Sequence, residues 1–278
     1  GTITQSVGGT VTETGLRLSA AGDVTLNLAN DFDTLAVSAA SQTVAITDAD
    51  GFAVGTVDGV NGIASGQLTL VSTTGNVSVS DNSVAKDVDA SGAVSITASA
   101  DNASFTVAAN ANVETSSGGV TITADDMDLS GAITATGQTV LLKSATAGDA
   151  INLGTNAAVP NTLELNDAEL DLVTATTLRI GATNAGAITV SAAVSPGSVT
   201  NLSLLSDAGI GDNLNAGSIT VTNLRLDVDT AVDLSTGNDV DTLAVNVADA
   251  SNALTFGDTD GLTVGVVDGT TGVTTNNA

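Results

Sequence analysis

The acidic residues are the side chains most able to do chemistry in this chain, which has 31 Asp and Glu but no His and no Cys. Ca²⁺ binds about six to eight oxygens from carboxylates and turn carbonyls. A pattern of three aspartates occurs twice, so we interpret its members as candidate calcium ligands: Asp48, Asp50, Asp58, Asp258, Asp260 and Asp268. The alternative is that each aspartate forms a turn and keeps the chain soluble. The sequence lacks both the EF-hand spacing and the Gly-rich nonapeptide of calcium β-rolls.

Catalysis is the second chemistry that carboxylates offer. Asp125, Asp126 and Asp128 form the tightest acidic group, and Asp126 and Asp128 share one face if this segment is a strand. Two such carboxylates can act as acid and base, which would suit a carbohydrate-active β-helix enzyme. The alternative is a solvated turn before Leu129. Without His, Cys, Trp or Tyr, the chain lacks His-based catalytic triads, thiol nucleophiles and the Trp and Tyr rings on which sugars stack. We predict no enzymatic activity and no required cofactor.

The charge of the chain limits its partners. The formal net charge is −26, and only five residues are basic: Arg17, Lys86, Lys143, Arg179 and Arg225. No basic stripe is available for nucleic acid or for an anionic membrane surface. No apolar run is long enough to span a membrane. We expect Arg17 and Arg225 to pair with nearby acids, and Lys143 and Arg179 to pair with Asp149 or Glu164.

A three-residue apolar–x–apolar triplet is the element that must position these side chains. It recurs along the whole chain, as in Leu68-Thr69-Leu70, Val77-Ser78-Val79 and Val120-Thr121-Ile122. Alternation with a period of two predicts short strands whose first and third side chains share a face. Gly, Asn, Asp, Ser and Thr fill the gaps, as turns require. No segment has a convincing helical period, so the sequence predicts an all-β fold.

Short, closely spaced strands with few hairpin signals favour parallel stacking into a β-solenoid, that is, a parallel β-helix. We expect coils of roughly 20 to 30 residues, with a right-handed path because parallel crossovers generally take that hand. Val, Leu, Ile and Ala would fill a narrow interior, together with the Phe residues. Asp-Gly and Asn-Gly pairs predict local hairpins near residues 46–63. Asn27 and Asn30 are candidates for stacking inside turns.

A long internal repeat organises the chain. Residues 8–18 align with residues 216–226 at an offset of 208, and residues 31–37 align with residues 239–245 at the same offset. Residues 50–59 recur as residues 260–269, at an offset of 210. We therefore divide a continuous solenoid into a first long repeat, residues 1–207, and the start of the next, residues 208–278. We expect no independent globular domains. Because no capping segment is evident, we expect the solenoid to continue or to stack end to end.

The middle of the sequence resembles a known family. The segments that carry the resemblance are residues 123–134, 140–143, 150–154, 165–171, 177–181 and 186–191. They are similar to the repeat body of filamentous-haemagglutinin-like exoproteins, giant β-strand-repeat proteins of Gram-negative bacteria secreted by two-partner or autotransporter-type routes. The resemblance covers essentially the whole chain. It implies a right-handed β-helix, an extracellular location and a role in adhesion or in surface fibres.

These observations predict a structural or adhesive segment of a long secreted or cell-surface β-solenoid fibre. Its partners would be copies of itself, joined end to end or laterally, or components of a host surface or matrix. The alternative is a self-assembling extracellular filament or sheath subunit, with or without calcium links between its rods. A carbohydrate-active β-helix enzyme is the remote one.

Overall fold

Short parallel strands make up nearly all of the regular structure in the computed structural model of the chain. The structure describes residues 1–83, 86–157, 159–213, 216–249 and 252–276. It divides into a first unit, residues 1–140, and a second unit, residues 141–278. In both units the strands stack in parallel coils, which confirms the prediction of an all-β solenoid.

The first unit is built from strands of 2 to 15 residues. They are β1 (Ile3–Thr4), β2 (Thr12–Ser19), β3 (Val24–Ser38), β4 (Val44–Asp48), β5 (Phe52–Val54), β6 (Thr56–Val57), β7 (Val60–Asn61), β8 (Ile63–Ser65), β9 (Leu68–Ser72), β10 (Val77–Val79), β11 (Val88–Ala90), β12 (Val94–Ala98), β13 (Ser104–Val107), β14 (Asn112–Thr115), β15 (Val120–Thr123), β16 (Asp126–Leu129) and β17 (Ala132–Lys143), which contains the boundary between the units.

Each triplet pairs with its equivalent in the next coil, residue against residue. One column of directly paired core residues runs through five coils: Val24, Val44, Leu68, Val94 and Val120. Its members are 20 to 26 residues apart in sequence, as expected for one coil. All five are almost completely buried. The first and third residues of the triplets therefore form continuous apolar columns, and the middle residues point outward.

The widest side chains of the first unit occupy a second column. It runs through the strands β5, β10, β13 and β16 and consists of Phe52, Val77, Phe105 and Met127. Phe32 packs against the end of this column, with its ring centroid 5.3 Å from that of Phe52. A third column, on the remaining side of the coil, consists of Ile63, Val88, Val113 and Ile133. Three strands per coil thus enclose one narrow interior. Phe32, Phe52 and Phe105 lie inside it, as the sequence predicted.

Turns of neighbouring coils approach so closely that some positions admit only glycine. A Cβ on Gly75 would lie 1.6 Å from the carbonyl oxygen of Asp50 in the preceding coil. We expect Gly75→Ala to lower the free energy of unfolding by about 1–3 kcal/mol, because the two turns must move apart. Gly211→Ala is the control, since its nearest atom would be 3.6 Å away. Urea unfolding measures both changes. If the two variants lost the same stability, the close approach of the two turns at Gly75 would not be the cause of the loss.

The second unit has the same construction. Its strands are β18 (Ala150–Gly154), β19 (Thr162–Asn166), β20 (Val173–Gly181), β21 (Ile188–Val190), β22 (Ala193–Val194), β23 (Val199–Ser206), β24 (Ile210–Asp212), β25 (Ser218–Val228), β26 (Val232–Val247), β27 (Leu254–Asp258), β28 (Thr263–Val264), β29 (Val266–Val267), β30 (Thr270–Thr271) and β31 (Val273–Thr275). One column of paired core residues consists of Leu178, Leu202, Leu224 and Leu243.

One strand of the second unit is out of chain order. Strand β18 pairs with β19 on one edge and with β21 on the other, so it lies between two strands that both follow it in sequence. Ile151 is the register partner of both Leu163 and Ile188. The triplet pattern predicted strands at all three places, but it did not predict this order.

A single helical turn, α1 (Asp167–Leu170), follows strand β19 and departs from the prediction of strands and turns alone. Asn166 caps it: its side chain accepts a hydrogen bond from the Glu169 N–H, and the Glu169 side chain accepts one from the Asn166 N–H. This reciprocal capping box stabilises the turn locally. Within the described residues, no helix has the length and apolar character needed to cross a membrane.

Candidate functional site

A β-hairpin lies across the outer face of the second unit. Strands β29 and β30 form it by antiparallel pairing, and Asp268 and Gly269 make its tip with φ angles of 47° and 85°. Two consecutive residues with positive φ define the two-residue turn that Asp-Gly favours. We call the segment Gly265–Gly272 the second hairpin arm. Its place in the long repeat matches the hairpin that the sequence predicted near residues 46–63.

The second hairpin arm covers the middle residues of the triplets beneath it. Ala244 is such an outward residue, yet it is completely buried, and Val267 of the arm is also buried. A Cβ on Gly265 would lie 2.7 Å from the Thr242 methyl group, so the arm enters the sheet face in close contact. This part of the outer surface is therefore packed like an interior.

Asp268 at the tip of the arm holds a group of polar side chains from three stacked strands. Its carboxylate accepts two hydrogen bonds from Arg179, at 2.7 and 2.6 Å, and one from the Ser203 hydroxyl at 2.7 Å. Arg225 donates a further bond at 3.3 Å and also pairs with Asp227. We call Arg179, Ser203, Arg225 and Asp268 the arginine latch. It corrects one expectation, since Arg179 pairs with Asp268 and not with Asp149 or Glu164.

Electrostatics favour the charged form of the latch. Burial by itself raises the pKa of Asp268, but the hydrogen bonds from Arg179 and Ser203 and the charges of both arginines outweigh it, so the pKa lies below its usual value. The hydrogen bonds that Arg179 donates to the Asp268 carboxylate raise the pKa of Arg179, against the opposing effect of burial. Asp268 and Arg179 are therefore both charged near neutral pH.

Removing the latch charge is expected to destabilise the second unit. Asp268→Asn should cost about 2 kcal/mol at pH 7, because hydrogen bonds to charged partners contribute about 1.5–3 kcal/mol. A carboxylate whose pKa is lowered by folding stabilises the fold fully at pH values above its pKa in the unfolded chain, about 3.9. This stabilisation is lost as the pH falls through its pKa in the folded chain. The difference between wild type and variant should therefore shrink below pH 4. Urea unfolding at pH 7 and pH 2 tests this.

The control for that prediction is Asp260→Asn, which changes an exposed aspartate in the turn that precedes the second hairpin arm. It should change the stability by less than about 0.5 kcal/mol at either pH. A difference between wild type and Asp268→Asn that stays constant from pH 7 to pH 2 would contradict the role of the charge.

The first unit contains the equivalent hairpin. Strands β6 and β7 pair antiparallel, and Asp58 and Gly59 form the tip with φ angles of 46° and 76°. This first hairpin arm, Gly55–Gly62, buries the outward residue Ala36 completely. Asp58 meets Arg17 at 3.5 Å, which confirms that Arg17 pairs with a nearby acid. The pair is open to solvent, and exposed pairs of this kind contribute little stability.

The predicted calcium ligands Asp48 and Asp258 serve as turn anchors. Asp48 is completely buried, and its carboxylate accepts hydrogen bonds from the N–H groups of Phe32, Asp50 and Gly51, at 2.8 to 3.1 Å. Burial raises its pKa, and these three donors act in the opposite direction. Asp258 repeats the arrangement, with bonds from the N–H groups of Val240 and Gly261. The carboxylate oxygens thus satisfy backbone donors.

The other four candidates are divided between two places. Asp50 and Asp260 lie in the turns beside those anchors, and Asp58 and Asp268 lie at the tips of the two hairpin arms. In the described part of the chain, none of the six aspartates belongs to a group of three carboxylates whose oxygens lie within 4.8 Å of one another. Calcium binding at these residues stays a prediction.

Two asparagines at equivalent repeat positions link neighbouring coils, and the sequence analysis named only the first of them, Asn30, as a candidate. Asn30 is completely buried where the register of β3 shifts against β4. Its amide group donates to the carbonyls of Leu26, Leu28 and Thr47, and its oxygen accepts from the Val11 N–H. Asn238 repeats this, donating to Leu234 and Gly257 and accepting from the Ile219 N–H. Each asparagine joins three successive coils.

The acidic group considered for catalysis is split by the strand. Asp126 and Asp128 of β16 are exposed on one side, as predicted, and Met127 between them is buried. Asp125 is buried and accepts a hydrogen bond from the Asn102 N–H at 3.1 Å. Ser130 donates to Asp128 at 3.0 Å. Two carboxylates thus remain on an outer strand face.

Two shallow clefts occupy equivalent positions in the two long repeats. Thr12, Glu13, Thr14, Asp31 and Asp33 line a cleft of about 300 Å³ in the first unit. A cleft of about 360 Å³ in the second unit includes the equivalent residues Thr220, Val221, Thr222, Asp239 and Asp241. The strands are in register, so Thr12 lies beside Asp31 and Thr220 beside Asp239. Each cleft presents hydroxyl and carboxylate groups side by side.

Comparison with known proteins gives no relative from which a role could be transferred. No family model, no curated protein and no solved structure matches this chain.

Proposed function

We propose that this chain is a structural and adhesive segment of a long secreted or cell-surface β-solenoid fibre and that it has no catalytic role. The observation that carries the proposal is the pairing of equivalent core residues from coil to coil, repeated with the same turn anchors and hairpin arms after 208–210 residues. A solenoid whose coils contact mainly their neighbours can be extended by adding repeats. Such a protein spans distance and presents a surface.

The outer surface supports the same role. The chain carries a formal net charge of −26, which keeps long polymers soluble and discourages collapse of one fibre onto another. The threonine and aspartate clefts recur with the long repeat, so a fibre would present the same polar groups at regular intervals. Host-surface or matrix components with hydroxyl or cationic groups are the partners that fit such clefts.

Membership of the filamentous-haemagglutinin-like exoproteins is part of the proposal. It is supported by the sequence segments that resemble that family and by the parallel solenoid fold. It carries with it the extracellular location and export from a Gram-negative bacterium.

Surface labelling tests the location. Antibodies raised against the purified chain should label intact cells of the source organism, and protease added outside the cells should remove the label. Electron microscopy of the released material should show thin fibres. Labelling that appears only after cell lysis would overturn the proposal.

We also propose that the fold needs no metal. Support comes from Asp48 and Asp258, whose carboxylates already accept hydrogen bonds from backbone N–H groups. EDTA should leave the melting temperature unchanged, and added CaCl₂ should raise it only slightly through the general acidic charge. A large drop in melting temperature with EDTA, restored by calcium, would show instead that calcium holds the structure together.

A further inference from the structure

One outer face of the first unit consists of short, uncharged side chains. It is formed by the outward residues of β3, β4, β9, β12 and β15, the strands of the first core column. We call these residues the threonine face: Thr25, Ala45, Thr47, Thr69, Val71, Ser95, Thr97, Thr121 and Thr123. Six of the nine are threonine, and all nine are exposed or partly exposed, so the face is open to solvent.

The threonine face is a regular array in two directions. One row of register partners consists of Thr25, Ala45, Thr69, Ser95 and Thr121. The second row consists of Thr47, Val71, Thr97 and Thr123. Neighbouring strands lie about 4.8 Å apart, and residues i and i+2 of one strand lie about 6.6 Å apart. The register does not shift from β4 to β15, so both spacings continue across these strands.

The lack of charge on this face stands out in so acidic a chain. The formal net charge is −26, yet none of the nine residues is charged. The other two outer faces of the first unit do carry acids. Asp89 and Glu114 are the middle residues of β11 and β14, and Asp126 and Asp128 are exposed on β16. The threonine face therefore has a different surface chemistry from the faces around it.

The side chains of the threonine face are both available and stiff. Among the described residues, no protein group forms a hydrogen bond with one of their hydroxyl groups, so these hydroxyls are open to water. Thr and Val are β-branched, which restricts their χ1 angles. Groups that are already held in position lose little conformational entropy when they bind a rigid partner. The face is thus suited to a partner that is itself a regular, uncharged lattice.

We propose that the threonine face binds ice. Oxygen positions in ice repeat at distances close to both spacings of the face, so its hydroxyl groups fit positions on a crystal surface. The methyl groups of threonine and of Val71 lie between them and lose contact with liquid water on binding, which is favourable. A charged side chain would keep its own hydration shell, and this face has none. The activity is additional to the proposed fibre role and does not depend on it.

Partitioning into ice tests the proposal with the whole chain. Ice is grown slowly on a cooled surface in a dilute solution of the protein, and the protein is then measured in the ice and in the liquid. Ordinary solutes stay in the liquid, whereas this chain should be enriched in the ice. It should also change the shape of a single ice crystal and separate its freezing and melting temperatures. Protein that stays in the liquid and leaves single crystals unchanged would overturn the proposal.

Lysine substitutions identify the surface that is responsible. Thr97→Lys places a strongly hydrated ammonium group in the second row, and Thr69→Lys does the same at an exposed position of the first. Each variant should remain in the liquid and lose most of the separation between freezing and melting temperatures. Thr106→Lys is the matched control, because Thr106 is also a partly exposed middle residue but lies on the face of β10, β13 and β16. It should enter the ice as wild type does, and an equal loss would contradict the assignment.

Two further measurements separate ice binding from other causes. Thermal unfolding should give all three variants a melting temperature near that of wild type; if Thr97→Lys is unstable, the exposed Thr69→Lys carries the comparison. Sedimentation velocity at increasing concentration tests whether a second copy covers the face. Self-association that Thr69→Lys abolishes would assign the face to a protein contact and overturn the proposal. A failure of surface labelling would remove the extracellular role and leave the ice result intact, and the reverse also holds.

Discussion

Replacing Asn30 by alanine is expected to lower the free energy of unfolding by about 3–5 kcal/mol. The substitution leaves the carbonyls of Leu26 and Thr47 and the N–H of Val11 without the partner they have in the native fold. Each unsatisfied buried polar group costs about 1–3 kcal/mol. The side chain is also completely buried, so water does not replace it without local opening. Urea unfolding followed by circular dichroism measures the loss.

Asn27→Ala is the matched control for this change. Asn27 lies on the same strand, but its side chain is exposed, and the substitution should change the stability by less than about 0.5 kcal/mol. Asn30→Asp keeps the size and the acceptor but removes the two N–H donors, so it should be nearly as damaging as alanine. A loss below 1 kcal/mol for Asn30→Ala would show that the register shift between β3 and β4 does not depend on this side chain.

Phe105→Ala is the second change with a large expected effect, a loss of about 3–5 kcal/mol. Phe105 is completely buried, and it lies between Val77 and Met127 in the column of wide side chains. Removing its ring leaves a cavity between the stacked coils, and the neighbouring coils cannot close it without breaking their register. Calorimetry or denaturant unfolding provides the measurement.

Two other substitutions are compared with Phe105→Ala. Phe105→Leu keeps most of the volume and should cost less than about 1.5 kcal/mol. Phe256→Ala removes a ring that is only half-buried and should cost less than Phe105→Ala does. If all three variants lost the same stability, the column of wide side chains would not be the tightly packed interior described above.

The sequence predicted the repeated part of the fold because that part depends on local pattern. Alternation within three residues determines which side of a strand is buried, and the structure follows it in Val44-Ala45-Ile46 and Phe52-Ala53-Val54. The hairpin tips were also predictable, because Asp-Gly adopts the positive φ angles that a two-residue turn needs.

The features that the sequence did not predict depend on contacts between distant residues. Asp268 and Arg179 are 89 residues apart, and only the stacking of coils brings them together. Strand β18 has an ordinary triplet, so nothing local shows that it lies between β19 and β21. Asn27 and Asn30 looked alike as turn residues, yet only Asn30 is buried, because the register shift occurs at Asn30.

The second hairpin arm changes how unfolding can spread along the second unit. In a simple solenoid each coil interacts only with its two neighbours, and the ends can fray one layer at a time. Asp268, however, ties strands β20, β23 and β25 at once from beyond β26. Opening any of these layers therefore disturbs the others, and the segment should melt as one cooperative block. Under a pulling force such a block would resist until the arm detaches and would then yield in a single large step.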